Sequence, residues 1–295
     1  MKNVTAIGEI LYDVYPDKKR LGGAPFNFIY HIWKIIGKAG FISSVGDDAN
    51  GNEMLSHLNS IGFNTKFVSI DNEHPTGTVK VTMREDKTPQ FTISSECSYD
   101  YIMLNSSSAN LINEETDLLY FGTLSSRNEI TRTTIQSLFD NPRLKYFCDL
   151  NLRHNFYSKE LVELILKTCN VIKLNDAELH KLKSLFDLPQ PNNDAVIQLI
   201  QSFNIDMVAL TLGSGGAELF SKSEFNSFIN TSIKVVDTLG AGDAYSAILC
   251  LGYLYNMPVS GINKLASEFA EEICMFNGAL PINDAIYQKY QRVFK

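Results

Sequence analysis

The sequence has little of what marks secretion, membrane insertion, metal cages or nucleic-acid binding. Its 295 residues hold five cysteines (Cys97, Cys148, Cys169, Cys250 and Cys274), odd in number and never in a C-x-x-C spacing. That argues against a disulfide framework or a zinc cage, and three of the five sit in apolar runs as small core residues. Lysine and arginine total 26 against 33 acids, a formal net charge of −7, and the densest basic stretch is Asp17-Lys18-Lys19-Arg20. A sequence-independent grip on nucleic acid is therefore not expected, whereas a phosphate ligand is allowed, because backbone dipoles bind anions even on an acidic protein. The longest apolar stretch, around Ala244 to Tyr255, falls short of the ~20 residues of a membrane span. The opening run from Met1 to Ile7 lacks a secretory hydrophobic region. The expected location is cytoplasmic, without membrane or nucleic-acid partners.

Several motifs are missing as well. No G-x-x-x-x-G-K-[ST] string exists, so the chain is not a P-loop kinase. Gly240-Ala241-Gly242-Asp243-Ala244-Tyr245 ends in a bulky residue and lies late in the chain, which disfavours a dinucleotide fold and hydride transfer. No H-E-x-x-H or cysteine–histidine grouping points to a metallohydrolase, and the five histidines are isolated. No internal repeat or low-complexity tract appears; Ser106-Ser107-Ser108 reads as a loop or helix cap.

What is present is a globular α/β pattern. Hydrophobic residues make up 44% and charged residues 20%, and the length fits one α/β domain of roughly 200–250 residues with a small appendage. Val4 to Leu11 reads as a buried strand, followed by turn residues and charges and the break Gly22-Gly23-Ala24-Pro25. Phe26 to Ile36 is helical by its apolar spacing, Ala39 to Val45 is a second strand, and Asn52 to Ile61 is a helix closed by Gly62. Residues 67–70, 77–83 and 90–93 read as short strands of an antiparallel flap, with Arg84-Glu85-Asp86-Lys87 as a charged turn. Further on, strands (118–121, 146–150, 171–174, 207–212) alternate with helices (131–138, 160–168, 177–186, 194–203). Such alternation implies a mainly parallel sheet with helices on both faces, whose ligands sit outside the carboxyl ends of the strands.

The most informative segment runs from Val235 to Ser246. A strand end enters a small-residue turn, then a long apolar helix starting near Asp243. Gly240, Ala241 and Gly242 leave their N–H groups bare at the helix N-terminus, a place for developing negative charge. Asp243 stands beside it as a base for an attacking hydroxyl, the juxtaposition that in-line phosphoryl transfer requires. Taken alone, the tetrapeptide is equally well a capped connector.

The wider chain adds a resemblance. This segment resembles the C-terminal signature of the ribokinase-like, PfkB-type carbohydrate kinases. Gly22-Gly23-Ala24-Pro25-Phe26-Asn27, with Val45-Gly46-Asp47-Asp48 and Gly51, is similar to their N-terminal signature. The likeness spans essentially the whole chain and within the family is nearest to fructokinases, through G-G-A-P-x-N and Asp149-Leu150-Asn151-Leu152-Arg153. It implies a three-layer α/β/α fold, with residues 1–295 as one kinase domain and a small β lid from about 12–21 and 65–100. It implies ATP and Mg2+ as co-substrate and cofactor, and a monomer or homodimer.

The resemblance also implies roles for single residues. Asp13, Gly22, Gly23 and Asn27 match sugar-binding positions, and a carboxylate, a carboxamide and bare amides suit several hydroxyls. Arg153 would meet the transferring phosphate or a sugar substituent, or else form a structural salt bridge. Asn175 would approach the nucleotide phosphates, and Glu178 would hold magnesium through water, unless the pair is simply a helix cap. Thr211, Gly213 and Gly216 would flank the phosphates, ribose and base, and Asn277 the adenine side. Asp237 and Leu239 fall where members that use a monovalent cation place oxygen ligands, so potassium activation is an expectation to test.

The implied activity is an ATP-dependent transfer to a primary hydroxyl of a small sugar, fructose first, with Asp243 as base and Gly240 to Gly242 as the anion hole. A nucleoside kinase of the adenosine type or a ribokinase would use the same chemistry. A sugar-binding protein without catalysis is the remote alternative.

Overall fold

The computed structural model describes residues 2–83, 89–153, 156–231, 233–281 and 283–295. The expected charged turn at 84–87 lies outside them. The chain opens with β1 (Val4–Ile7), β2 (Leu11–Val14) and β3 (Lys19–Gly22), then α1 (Ala24–Ile36), β4 (Gly40–Gly46), α2 (Ala49–Ser60) and β5 (Val68–Asp71). Next come β6 (Gly77–Met83), β7 (Pro89–Ile93) and α3 (Ser106–Asn110). Alternation follows: β8 (Leu118–Gly122), α4 (Glu129–Gln136), β9 (Lys145–Asp149), α5 (Lys159–Thr168), β10 (Val171–Asn175), α6 (Asp176–Phe186), α7 (Asn192–Phe203) and β11 (Met207–Thr211). A hairpin of β12 (Ala217–Ser221) and β13 (Phe225–Phe228) precedes α8 (Ala241–Leu254), α9 (Val259–Cys274) and α10 (Gln288–Phe294).

The large sheet has the order β13-β12-β11-β10-β9-β8-β1-β4-β5, parallel from β11 to β5 and antiparallel at the hairpin end. Successive strand residues point to opposite faces, and two cores result. Val4, Leu118, Tyr120, Phe147, Val171 and Ala209 join α1, α8 and α9 on one face; Ile7, Leu119, Phe121, Cys148, Ile172 and Val208 join α4 to α7 on the other. The expected three-layer α/β/α architecture is what the chain forms. Among the described residues no helix is long and apolar enough to cross a membrane.

Two strand assignments differ from the sequence reading. Val4 to Leu11 is not one strand: the chain leaves the large sheet after Ile7 and re-enters a second sheet at Leu11. Gly8 makes the break at φ +147°, where a Cβ would lie 2.7 Å from the Pro25 ring and 2.8 Å from Ser125 Oγ. The 67–70 strand is not part of the flap. As β5 it pairs parallel with β4 through the α2 crossover, with Ser43 opposite Val68, and so extends the large sheet. The small sheet is β3-β2-β6-β7, antiparallel at both ends but parallel between β2 and β6, where Leu11 faces Gly77. Its Val79 and Val81 are buried and Lys80 is exposed, as the alternation requires. The three-serine stretch opens α3, whose cap is Asn105 accepting from the Ser108 N–H.

Candidate active site

At the carboxyl ends of the parallel strands lies a cleft of about 890 Å³. The small sheet supplies one wall through Asp13, Val79, Val81 and Phe91, and the start of α8 supplies the floor through Gly240, Gly242 and Asp243. Gly240 caps α8 at φ +78°, and a Cβ there would come 2.3 Å from the Ala279 Cβ, so both the turn and the packing demand glycine.

Asp243 is half-buried at this helix start, and its Oδ2 accepts a 2.8 Å hydrogen bond from Asn27 Nδ2. Burial, and then the neighbouring Asp149 carboxylate, push its acid up to about 7; the Asn27 bond and the Lys173 ammonium pull the other way. A carboxyl so placed is matched to exchanging a proton near neutral pH. Asn27 sits in the first turn of α1, 4% exposed, and its Oδ1 has no partner among the described residues. That turn starts at Gly23 (φ +109°), where a Cβ would lie 2.5 Å from the Glu9 carbonyl oxygen, so the crossing between the two sheets presses directly on the helix start.

Asp13 of β2 is buried and lines the same cleft. Burial pushes it up to about 6, Arg20 opposes that and Asp237 adds to it. Gly22 stands across the β2–β3 pair, and a Cβ on it would meet Asp13 Oδ2 at 2.8 Å. Gly22 and Ala241 thus border the cleft rather than line it; the Ala241 N–H donates to the Thr238 carbonyl. Asp237 is fully engaged: Oδ1 accepts from the Leu239 N–H, and Oδ2 from the Gly278 N–H and Arg20 Nη1 at 3.0 Å.

At the other end, Asn175 and Glu178 form a reciprocal cap on α6. Asn175 Oδ1 accepts from the Glu178 N–H, and Glu178 Oε2 accepts from the Asn175 N–H. Glu178 Oε1 takes the Leu152 N–H at 2.8 Å. Burial, then Asp149, raise its proton affinity above that of an ordinary glutamate. Each oxygen keeps a lone pair, and among the described residues no three His, Cys, Asp or Glu side chains converge as a metal cage. The donor set therefore fits magnesium held through water and not a fully protein-ligated ion.

Arg153 and Asn277 are exposed and line the cleft. Arg153 forms no salt bridge with a described residue, so the structural alternative for it finds no support there. Thr211, Gly213 and Gly216 do not line the cleft. Thr211 ends β11, one strand beyond Asn175, and Gly213 and Gly216 follow it. A Cβ on Gly216 would lie 1.9 Å from the Phe228 carbonyl oxygen, so that glycine serves the approach of β13.

Among the cleft residues that the sequence reading missed, two are buried and charged. Glu9, in the crossing from β1 to β2, is buried, accepts from the Ser125 hydroxyl and is pushed by burial up to about 7. Lys173 is buried in β10 and bonded to Asp149 at 2.8 Å. Its signal was available: a lone lysine inside Val-Ile-Lys-Leu, a run otherwise fit for the core.

The model of the pfkB family of carbohydrate kinases matches residues 1–283. A fructokinase of Vibrio alginolyticus is 29% identical over 258 residues, covering 83% of this chain and 82% of its own. Among solved structures, an uncharacterized sugar kinase from Pyrococcus horikoshii in complex with ATP superposes with a TM-score of 0.81 at 22% identity, covering 98% of this chain and 99% of its own. A double mutant of the fructokinase from Vibrio cholerae, bound to fructose, ADP and potassium ion, gives 0.76 at 22% identity, covering 100% and 98%. The fold is ribokinase-like.

Proposed function

This chain belongs to the pfkB family of carbohydrate kinases, and we propose that within it the chain phosphorylates a primary hydroxyl of a small sugar, fructose first. One observation carries the reading: Asp243, the only carboxyl in the first turn of α8, faces the cleft at the glycine-lined helix start with a proton affinity near neutrality. The fructokinase relative supports fructose.

In this reading the sugar lies beside the small sheet, with Asp13, Gly23 and Asn27 as its polar contacts. The triphosphate lies along the strand ends near Asn175, with Thr211, Gly213 and Gly216 beyond it. Exposed Val235, Val236 and Met275 offer apolar surface for a base next to Asn277; the Val236 N–H bond to the Cys274 carbonyl holds them together. The hydroxyl proton passes to an Asp243 oxygen as the new O–P bond forms and the bond to the ADP oxygen breaks. The Gly240 and Gly242 amides and the α8 dipole steady the charge on the phosphoryl oxygens, while the Ala241 N–H, expected from the sequence to be bare, is held by the Thr238 carbonyl. Magnesium bound with ATP supplies charge neutralisation at the phosphates, with Glu178 as its water-mediated holder. Arg153 stands where an oxyanion of the phosphate or of a sugar substituent is recognised.

ADP release across fructose, ribose, a keto-deoxy sugar acid and adenosine tests this reading. Fructose should give the highest kcat/KM, and adenosine in first place makes the chain a nucleoside kinase. Release from none of them leaves only a sugar-binding protein. Potassium activation at the Asp237 and Leu239 loop belongs to the same proposal, and a flat response to added potassium in potassium-free buffer ends it.

A further inference from the structure

Lys173 is out of place for an interior strand. Alternation along β10 sends Val171 and Lys173 to the face covered by α1 and α8, and Ile172 and Leu174 to the other. Lys173 is 8% exposed. Its Nζ lies 2.8 Å from Asp149 Oδ2, the oxygen that also receives the Ser246 hydroxyl of α8 at 3.3 Å. Asp149 Oδ1 is buried with no partner among the described residues. A buried pair of this kind is a poor stabiliser, because taking both ions out of water offsets their attraction, and packed apolar residues would hold the strands as well.

Gly242 points to what the pair is for. It occupies the first turn of α8 at a position where glycine is normally inferior to alanine. A Cβ there would lie 2.8 Å from Lys173 Nζ and 3.7 Å from its Cε. The missing side chain leaves room for the ammonium directly behind the helix start, one residue from Asp243. The groups that face Asp243 come from five elements: Asn27 from α1, Glu9 from the β1–β2 crossing, the buried Tyr120 from β8, Asp149 from β9 and Lys173 from β10. Two of these are carboxyls that oppose its ionisation, and Lys173 is the one cation among them.

We propose that Lys173, held by Asp149, is a positioning residue for the base, its ammonium standing behind Gly242 as the counter-charge that keeps Asp243 ionised when a hydroxyl approaches. The inference rests on the reading of Asp243 as base. Asp149 then has two effects: it anchors the ammonium, and it limits how far the ammonium acidifies Asp243. Lys173 and Asp149 therefore act on Asp243 with opposite sign, which a merely structural pair does not.

The test uses that sign. In Lys173→Met the acid limb of the kcat/KM profile should move to higher pH by about one unit or more, a roughly tenfold loss on the acid side. In Asp149→Asn, where Lys173 keeps Glu178 and Asp243 as acidic neighbours, the limb should move to lower pH. The double variant should bring it back toward the wild-type position. A limb that stays put in both single variants, or moves the same way in both, overturns the proposal. If Lys173→Met fails to fold because Asp149 is left buried and uncompensated, Asp149→Asn decides alone: movement to lower pH supports the pair, and no movement or the reverse sinks it. Carbon-13 titration of the Asp243 carboxyl in the ligand-free protein, assigned through Asp243→Asn, reads the same shifts without any substrate. A chain that phosphorylates nothing but shows the opposed titration shifts loses the kinase reading and keeps the charge pair; active enzyme without the shifts does the reverse.

Discussion

The two ends of the cleft treat their carboxylates in opposite ways. At the small-sheet end, Asp13 and Asp243 are withdrawn from water with few donors, and their acids are pushed up to about 6 and about 7. At the α6 end, Glu178 is just as enclosed but takes two backbone N–H groups and completes a helix cap. The first end holds polar groups in want of a partner, as a site for hydroxyls should. The second is complete without a ligand, so its residues serve the fold first and reach a phosphate-bound ion through what capacity they have left. Removing a carboxylate should therefore cost activity at one end and stability at the other.

The largest expected effect is Asp243→Asn. The amide keeps the shape and removes the base, so kcat should fall by at least ~10²-fold, with little change in sugar KM. Steady-state ADP release measures both, and a variant retaining more than a tenth of the activity would put the base elsewhere. Next is Glu178→Ala, which keeps the Asn175 side chain on the residue 178 N–H but removes the reciprocal half of the cap, leaving the Leu152 and Asn175 N–H groups without their acceptor. It should lower folding stability by about 1–3 kcal/mol in urea denaturation. If Glu178→Ala leaves the midpoint unchanged, the contrast between the two ends is wrong.

This contrast also explains what the sequence disclosed and what it hid. Gly22 to Asn27 and Gly240 to Asp243 were legible because a bare turn and a short polar side chain have few other uses at a helix start, and both ends of that pairing meet at 2.8 Å. The strand–helix alternation after residue 117 was legible for the same local reason. Hydrophobicity cannot say to which sheet a strand belongs, so the apolar residues on either side of Gly8-Glu9 let Val4 to Leu11 pass for one strand, and Phe67 to Ile70 was given to the wrong sheet. The β12–β13 hairpin was hidden behind glycines read as a nucleotide loop, although Gly216 is needed for contact with Phe228. Glu9 stayed invisible, and Lys173 showed only as an oddity in an apolar run, because their meaning lies in neighbours far away in the chain: Ser125 for one, Asp149 for the other.

A smaller effect, with the sign reversed, comes from Asp13→Asn. Its acid is raised in the folded state, so the folded chain binds the proton more tightly than the unfolded one, whose aspartate titrates near 4. That contribution is fully present below pH 4 and is lost as pH rises through about 6. At pH 8 the wild-type protein therefore carries an enclosed charge that the amide does not. Asp13→Asn should stabilise the ligand-free chain there by about 1–2 kcal/mol, with no gain at pH 4, while weakening sugar binding. Thermal melts at the two pH values check the sign, and a variant less stable at pH 8 would show that Asp13 is structurally satisfied like Glu178.

The smallest effect belongs to the ion pair that joins the small sheet to the loop before α8. Arg20 and Asp237 meet at 3.0 Å, with side chains about a quarter exposed. Solvent screening and the entropy of fixing an arginine leave such a pair roughly 0.5–1 kcal/mol, less at high salt. Asp237 keeps the N–H groups of Leu239 and Gly278 when the arginine is gone, so no buried acceptor is orphaned. Arg20→Met should therefore shift the melting temperature by only a degree or two, a difference that fades in 1 M salt. The sugar end should respond more than the melt does, since Arg20 is the cation that holds down the proton affinity of Asp13. With it removed, Asp13 should titrate at still higher pH, and sugar affinity should become more pH-dependent between pH 6 and 8. A KM that is flat over that range in Arg20→Met would mean that Asp13 does not meet the sugar as a carboxylate, and the comparison would then rest on Asp243 alone.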